Sequence, residues 1–277
     1  MALLAPPDLP RWGLMWALAA AIFFGSKWLT WSDAHVAAPA WKHLAYWILW
    51  PGMDARAFLG GVSPVERPRA AEWIFAAAKT LLGMALVWAA IGPLGILGSE
   101  RPLLRGWVGM VGLVFALHFG SFHLVSCAWR AAGVCARPLM AAPILSTSVG
   151  DFWGRRWNRA FRDLTHPLFY LPLARRLGAG PALGVVFLWS GVVHELLISL
   201  PSRSGYGLPT LFFALQAGAI GLERSRAGRA LGLGRGAPGW AFAVLATAGT
   251  AGLLFRPPFV RDVMLPFLSA LGGGSAE

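Results

Sequence analysis

The sequence predicts an all-α, polytopic integral membrane protein. Hydrophobic residues make up 57% of the 277 residues and charged residues only 13%, whereas an ordinary soluble domain carries about 25% charged residues. The mean hydropathy is +0.59. Apolar runs recur at lengths near the ~20 residues that a helix needs to cross about 30 Å of hydrocarbon. We therefore expect roughly seven to nine transmembrane helices and an interfacial helix, in a single domain over 1–271 with a disordered tail at 272–277.

Seven apolar segments are the candidate spans, in chain order 12–31, 38–51, 73–97, 104–126, 181–200, 207–222 and 239–255. The first is longer than the apolar part of a secretory signal and has no clear cleavage site, so we expect it to be retained. The second is short, but its tryptophans suit a membrane interface, and Pro51 and Gly52 end it. Three further segments fit half-spans, re-entrant pieces or surface helices: 139–150, 164–178 and 259–270.

The positive charge of the chain predicts its orientation rather than nucleic-acid binding. The formal net charge is +12, and most of the cations are arginines. Cytoplasmic loops of membrane proteins collect Lys and Arg. With a cytoplasmic N-terminus, sixteen arginines fall in cytoplasmic segments and five outside. We therefore expect a multi-pass protein of the cell (inner) membrane, in contact with membrane lipids and not with nucleic acid, whose N-terminus and segment 127–180 face the cytoplasm.

Aromatic and basic residues alternate most densely between positions 148 and 164. Ser148 and Asp151 form a capping signal for a following helix. At about 100° per residue, one face carries Trp153, Trp157, Ala160, Phe161 and Leu164, and the other carries Arg155, Arg159 and Arg162, with Asn158 on the border. This pattern predicts an interfacial helix. It fits a helix that anchors the protein to anionic lipid, and it also fits an arginine site for a phosphorylated ligand.

A histidine, His194, lies inside the apolar run 187–200. Ser190 and Gly191 lie on its helical face, one turn back, and leave space beside the imidazole. Ionisable residues at membrane depth usually serve a function, although a structural histidine bonded to another helix also fits. A zinc-protease His-Glu-x-x-His motif is excluded, because Ile198 occupies its last position.

The other titratable residues indicate no metal site. His118 and His123 share a predicted helix but lie about 140° apart, so they cannot form a two-ligand face, and a structural role is favoured for His118. Cys127 and Cys135 give neither a metal-ligand spacing nor a disulfide framework. Glu195 points about 100° away from the neighbouring histidine, toward an arginine or polar backbone.

The stretch Ser148–Phe161, together with Ser190–Leu197, resembles the wax-synthase-like branch of the membrane-bound O-acyltransferase family. Three further stretches resemble that branch, so the resemblance extends over most of the chain: Trp50–Asp54, Trp129–Pro138 and Arg256–Phe259. The resemblance implies one membrane-bound O-acyltransferase-like domain over 1–271. Such a protein transfers an acyl group from acyl-CoA, a co-substrate, to a hydroxyl of a lipophilic or membrane-accessible acceptor, and it needs no cofactor.

The signature pair of that family is an asparagine (or histidine) in the first block and a histidine in an apolar helix, which map onto Asn158 and His194. The resemblance implies that His194 is the general base, since burial favours the neutral imidazole that can accept a hydroxyl proton. It implies that Asn158 positions the thioester. We expect the substrates to contact further residues of the two stretches: Asp151, Trp153, Arg155, Arg156, Trp157, Arg159 and Ser190.

Two other classes of protein fit the same pattern. One is a transporter or flippase in which His194, Glu195 and Lys27 line a polar path. Such proteins often consist of paired halves with broken helices, and the sequence has no such symmetry. The other is a catalytically silent lipid-binding membrane protein, which would bind acyl-CoA tightly without turnover.

Overall fold

A computed structural model of the chain describes residues 9–60, 65–91, 97 and 100–272. The described residues form helices and connecting loops and contain no strand, as the sequence predicts. Nearly all of the tail predicted to be disordered, 273–277, lies outside them.

Five helices lie in the described residues of the N-terminal half, and we number them α1 Arg11–Ala34, α2 Ala40–Ile48, α3 Ala55–Gly60, α4 Ala70–Ile91 and α5 Pro102–Ala131. The C-terminal half adds α6 at 149–156, α7 at 159–177, α8 Ala179–Ser202, α9 Leu208–Arg224, α10 Arg226–Ala230, α11 Gly236–Leu253 and α12 Pro257–Leu271. The middle of α5, Val114–Ser121, is wound as a π-helix.

Four helices in the described part of the chain are long and apolar enough to cross a membrane, namely α1, α4, α5 and α8. The pair α11 and α12 is bent by 66° and raises this number to five if it forms one span. The predicted seven to nine spans are therefore not confirmed. The predicted span 38–51 shrinks to the nine-residue α2, which extends only about 14 Å, because Pro39 and Pro51 bracket it.

The interfacial helix predicted across 148–164 is not one helix in the structure. It ends at Trp157, whose backbone is extended, and α7 begins after Asn158, whose φ of 41° is left-handed. The helical faces assigned across the whole block therefore do not hold. The segment 139–150 is a loop with one 3-10 turn followed by the start of α6, 164–178 continues α7, and 259–270 lies in α12.

Two hydrophobic clusters hold the described helices together. One joins α8, α9, α11 and α12 and contains Phe187, Phe212 and Phe213. The other surrounds α2 and α3 and contains Tyr46 and Phe58. The first cluster borders the large cavity of the protein.

Candidate active site

A cavity of about 720 Å³ lies between α7, α8, α9 and α11, and its walls are mostly apolar. Both residues of the predicted signature pair, Asn158 and His194, line it. They are 36 positions apart in the sequence. The helix break at Asn158 and the antiparallel packing of α8 on α9 bring them to one space.

The imidazole of His194 has a fixed hydrogen-bonding arrangement. Its Nδ1 lies 2.7 Å from the carbonyl oxygen of Ser190, one turn earlier in α8. Because a carbonyl only accepts, Nδ1 carries the proton and donates it. The neutral ring therefore has its lone pair on Nε2, which can accept a proton. The ring packs 4.5 Å from that of Phe213, centroid to centroid.

The helices α8 and α9 approach closely beside this histidine. A Cβ atom at Gly191 would lie 2.6 Å from the Cα of Thr210, so the approach requires a glycine. Glu195 fastens the same contact, because its Oε1 accepts from the backbone N–H of Gly207 (3.0 Å) and from both the N–H (3.1 Å) and the hydroxyl (3.0 Å) of Thr210. Its predicted place near polar backbone is thus observed. This carboxylate caps the start of α9.

Asn158 has one side-chain atom engaged and one free. Its Oδ1 accepts the backbone N–H of Phe161 at 3.3 Å and so caps α7. Because the amide NH₂ group donates and cannot accept, this bond fixes which way the amide points. The side-chain nitrogen has no partner in the described protein, and its two N–H groups are available to a ligand in the cavity.

The predicted substrate-binding residues divide into two groups. Trp153, Trp157 and Ser190 line the cavity with the signature pair, whereas Asp151, Arg155, Arg156 and Arg159 do not. The carboxylate of Asp151 holds two of these arginines, at 2.7 Å from Arg155 Nε and 2.5 Å from Arg156 Nε. The predicted arginines therefore lie outside the cavity. A phosphate would also have to compete with Asp151 for Arg155 and Arg156.

Two other arginines line the cavity, Arg162 of α7 and Arg224 at the end of α9. Arg224 was not among the residues predicted from the sequence. The sequence does place Arg224 in the last turn of an apolar helix, which could have suggested it. No sequence pattern shows, however, that α9 packs against the motif segment 148–161. The adjacent Glu223 joins α9 to this segment, because its two carboxylate oxygens accept hydrogen bonds from the backbone N–H groups of Val149 (2.8 Å) and Gly150 (2.9 Å).

A small polar pocket of about 60 Å³ adjoins the cavity and shares Arg162 with it. Asp54, Arg159 and Asp163 also line it. Burial, with the nearby Asp54 carboxylate, raises the pKa of Asp163 above its usual range despite the partner Arg162 at 3.0 Å. Burial likewise lowers the pKa of Arg159.

A second cluster of titratable groups joins α4 to α5. Glu72, His123 and Cys127 present potential ligand atoms within 4.8 Å of one another. His123 is already bonded on both ring nitrogens, to Glu72 Oε1 and to Lys79 Nζ, each at 2.8 Å, and Arg130 pairs with Glu72. Two cations beside a hydrogen-bonded carboxylate do not favour a metal ion.

One protein family matches the part of the chain that contains this site. The model of the membrane bound O-acyl transferase family matches residues 136–215, which include Asn158 and His194. A probable long-chain-alcohol O-fatty-acyltransferase 9 of Arabidopsis thaliana is 33% identical over 159 residues, covering 49% of this chain and 43% of that protein. A probable long-chain-alcohol O-fatty-acyltransferase 3 of the same plant is 41% identical over 93 residues, covering 30% and 27%.

A long-chain-alcohol O-fatty-acyltransferase of Simmondsia chinensis is 34% identical over 80 residues, covering 26% of this chain and 23% of that protein. In each case the chain spans less than half of the relative's length. The resemblance to the wax-synthase-like branch is confirmed.

Proposed function

We propose that this chain, whose residues 136–215 match the membrane bound O-acyl transferase family and which is similar to long-chain-alcohol O-fatty-acyltransferases, transfers an acyl group from acyl-CoA to the hydroxyl of a lipophilic alcohol. The acceptor is membrane-soluble, because the cavity walls are mostly apolar. The relatives are long-chain-alcohol O-fatty-acyltransferases by name, which supports this reaction class.

One observation carries the proposal: a proton acceptor and a pair of N–H donors, neither bonded to another group among the described residues, line the same apolar cavity. His194 Nε2 is the acceptor, and the side-chain nitrogen of Asn158 supplies the donors. Acyl transfer to a hydroxyl needs this combination, because the hydroxyl must lose a proton while negative charge develops on the carbonyl oxygen.

The proposed step transfers the acyl group directly. The alcohol oxygen attacks the thioester carbon while His194 Nε2 takes the hydroxyl proton. Asn158 donates to the carbonyl oxygen as it becomes negative. The carbon–sulfur bond then breaks, the protonated imidazole returns its proton to the leaving thiolate, and the products are the ester and free coenzyme A. No covalent acyl-enzyme forms.

The arginines that line the cavity indicate where the coenzyme A part of acyl-CoA binds. The phosphates of coenzyme A need cations, and arginine matches phosphate with a bidentate fork. Arg162 and Arg224 line the cavity. The excess of arginine in 127–180 predicts that this segment faces the cytoplasm. We therefore expect acyl-CoA to enter from the cytoplasmic side of the inner membrane.

The test offers the purified full-length chain palmitoyl-CoA and octadecanol, and it measures alcohol-dependent release of the coenzyme A thiol together with the ester by mass. His194→Ala should lower kcat by about 10²–10⁴-fold, the usual contribution of a general base. His43→Ala is the control, because His43 lies on α2, away from the cavity.

Near-normal kcat in His194→Ala would remove the assigned base. Accumulation of unmodified alcohol without any ester would instead favour the transporter, which the relatives' names do not support. Tight binding of acyl-CoA without thiol release would favour a catalytically silent lipid-binding protein.

A further inference from the structure

The first turn of α1 lies on the same side of the protein as the start of α12. Arg11 Nη1 of α1 is 2.7 Å from Asp262 Oδ2 of α12. The last turn of α8, Leu200–Ser202, packs against both helices there. The start of α5 joins them, because a Cβ atom at Gly106 would meet the side chain of Val260 of α12. We call this side of the protein the α12 side.

The last turn of α1 lies on the opposite side, together with the motif segment. Arg56 Nη2 of α3 donates to the Asp33 carboxylate of that turn at 3.0 Å. Trp129, near the end of α5, donates its indole N–H to the carbonyl of Leu49, just after α2, at 3.3 Å. Asp54, in the loop between α2 and α3, lines the small polar pocket together with residues of α7. We call this side the motif side.

The short helix α2 begins and ends on the motif side. Near its start, His43 Nδ1 accepts the indole N–H of Trp31 at 2.8 Å, and just after its end Leu49 accepts from Trp129. Both tryptophans lie in the last turn of a long helix that ends on the motif side, α1 and α5 respectively. The helix α2 therefore lies along that side and does not pass through the membrane.

The position of α2 changes the orientation that follows from the sequence. The sequence prediction counts 38–51 as a crossing and so puts the start of α1 and the motif segment on one side of the membrane. With α2 on the motif side, α1 is the only crossing between its own start and α4 in the described residues. The start of α1 and the motif segment then lie on opposite sides of the membrane, and only one of them is cytoplasmic.

The arginines indicate which side is cytoplasmic. Cytoplasmic segments of membrane proteins collect Lys and Arg. Fifteen of the twenty-one arginines lie on the motif side, and six lie on the α12 side, namely Arg11, Arg101, Arg105, Arg203, Arg256 and Arg261. Compared with the count for a cytoplasmic N-terminus, only Arg11 changes sides. The excess that predicts a cytoplasmic motif segment therefore predicts that the start of α1 is outside.

One face of α2 is apolar and exposed. Trp41, Leu44 and Ile48 are exposed and are spaced three and four residues apart, so they share this face. Tyr46, on the opposite face, is fully buried. An apolar face on a helix that lies where the long helices end suits the boundary between lipid headgroups and acyl chains. Lipid of the leaflet on the motif side is therefore the partner that this face fits.

We propose that α2 lies in the cytoplasmic leaflet, with Trp41, Leu44 and Ile48 at the acyl boundary, and that α1 crosses the membrane with its first turn outside. The loop after α2 supplies Asp54 to the small pocket, whose Arg162 also lines the cavity. The leaflet contact of α2 therefore holds the arginine end of the cavity at the level of the cytoplasmic headgroups. This inference does not depend on the proposed acyl transfer.

The first experiment labels the full-length chain with a membrane-impermeant maleimide in the inner membrane of a bacterial host. Leu9→Cys marks the start of α1, Tyr206→Cys the α12 side and Ala132→Cys the motif side, and all three positions are exposed. We expect the first two to react in spheroplasts and Ala132→Cys to react only in inverted vesicles. The wild type is the control, because its Cys127 and Cys135 are buried.

Two labelling patterns would overturn the inference. Reaction of Leu9→Cys and Ala132→Cys from the same face would require a second crossing between α1 and the motif segment. Reaction of Leu9→Cys only in inverted vesicles and of Ala132→Cys in spheroplasts would invert the whole chain. An epitope tag before Met1 covers a shielded Leu9→Cys: protease should remove the tag in spheroplasts, and protection of the tag there would overturn the inference.

The depth of α2 is measured by spin labels on the full-length chain in lipid nanodiscs. Trp41→Cys and Ile48→Cys lie seven residues apart on the exposed face, and Met84→Cys, at an exposed position within α4, is the matched control. A helix that lies in the leaflet gives both α2 labels similar depths, nearer the headgroups than the label at position 84. A crossing helix separates them by about 10 Å. That separation, or α2 labels as deep as the control, would overturn the inference.

Discussion

The substitution Asn158→Asp separates the two tasks of this residue. The backbone at this position is left-handed, with φ 41° and ψ 61°, and the side-chain oxygen caps α7. Aspartate caps a helix as well as asparagine does, and it is among the few residues that enter the left-handed region routinely. The aspartate variant therefore keeps the fold while losing both N–H donors.

The expected magnitudes follow from these contacts. Loss of one preorganised donor to a developing oxyanion lowers kcat by about 10²–10³-fold, which corresponds to about 2.7–4 kcal/mol. The new negative charge beside the carbonyl oxygen acts in the same direction. The free energy of unfolding should stay within about 0.5 kcal/mol of the wild type, since cap and backbone are retained.

Two further variants test the backbone argument at Asn158. Alanine loses the cap, at about 1 kcal/mol, and is strained in the left-handed region by about 1–2 kcal/mol. Asn158→Ala should therefore lose about 2–3 kcal/mol of unfolding free energy. Glycine is unstrained there and costs only a few tenths of a kcal/mol as a cap, so Asn158→Gly should be nearly as stable as the wild type. It loses the donors without adding a charge, so its kcat should fall by about 10²–10³-fold.

The assay pairs thiol release at saturating substrates with denaturant unfolding in detergent for all three variants. Wild-type kcat in Asn158→Asp would show that the side-chain nitrogen does not act on the thioester. Equal stability of the alanine and glycine variants would refute the strain argument. Loss of activity in step with loss of stability would reduce the residue to a helix cap.

Three other substitutions probe how the site is held. Gly191→Ala should destabilise by about 1–3 kcal/mol and lower kcat, because its Cβ would lie 2.6 Å from the Thr210 Cα; Gly184→Ala, whose Cβ meets nothing within 4 Å, is the control. Glu223→Gln should lower the free energy of unfolding by about 1–3 kcal/mol, because a backbone N–H of the motif segment loses its acceptor; denaturant unfolding measures this. Burial raises the pKa of the Asp163 carboxyl, so the folded state holds this proton more tightly than the unfolded chain. Its contribution to stability is present below the unfolded pKa and is lost as the pH rises through the raised folded pKa. The unfolding temperature of Asp163→Asn should therefore rise relative to the wild type from acid to neutral pH, and a difference independent of pH would contradict this.

Long helices could be predicted from the sequence because hydrocarbon thickness fixes their length. The segments 12–31 and 181–200 match α1 and α8 to within a few residues. The span 38–51 was predicted wrongly, because its hydropathy reflects the apolar side chains of α2. Hydropathy does not show that the flanking prolines limit this helix to nine residues. Burial of Tyr46 against Phe58 explains the apolar character of that segment without a membrane crossing.

The candidate site was predictable in its residue types but not in its geometry. A buried histidine and an asparagine between arginines were visible in the sequence, yet helical periodicity continued the motif helix through Asn158. The available sign of a break was the asparagine itself, because asparagine tolerates the left-handed conformation that Asn158 adopts. The contacts from Gln216 and Arg224 depend on how α9 packs against the motif segment, which no local pattern encodes.

The side-chain hydrogen bonds of His194 and Asn158, the two residues in the proposed reaction, are made to the backbone of their own helices. His194 gives its Nδ1 proton to a carbonyl four residues earlier, and Asn158 gives its oxygen to an N–H three residues later. Each bond uses the atom that the proposed reaction does not need and leaves free the one that it does. Because these bonds are local, the orientation requires no additional polar group in the apolar cavity, where an unpaired one would be unfavourable. The distance between the two free atoms is then set by the packing of α6 to α9, so Gly191, at the contact of α8 with α9, and Glu223, which joins α9 to α6, should affect kcat without contacting either substrate.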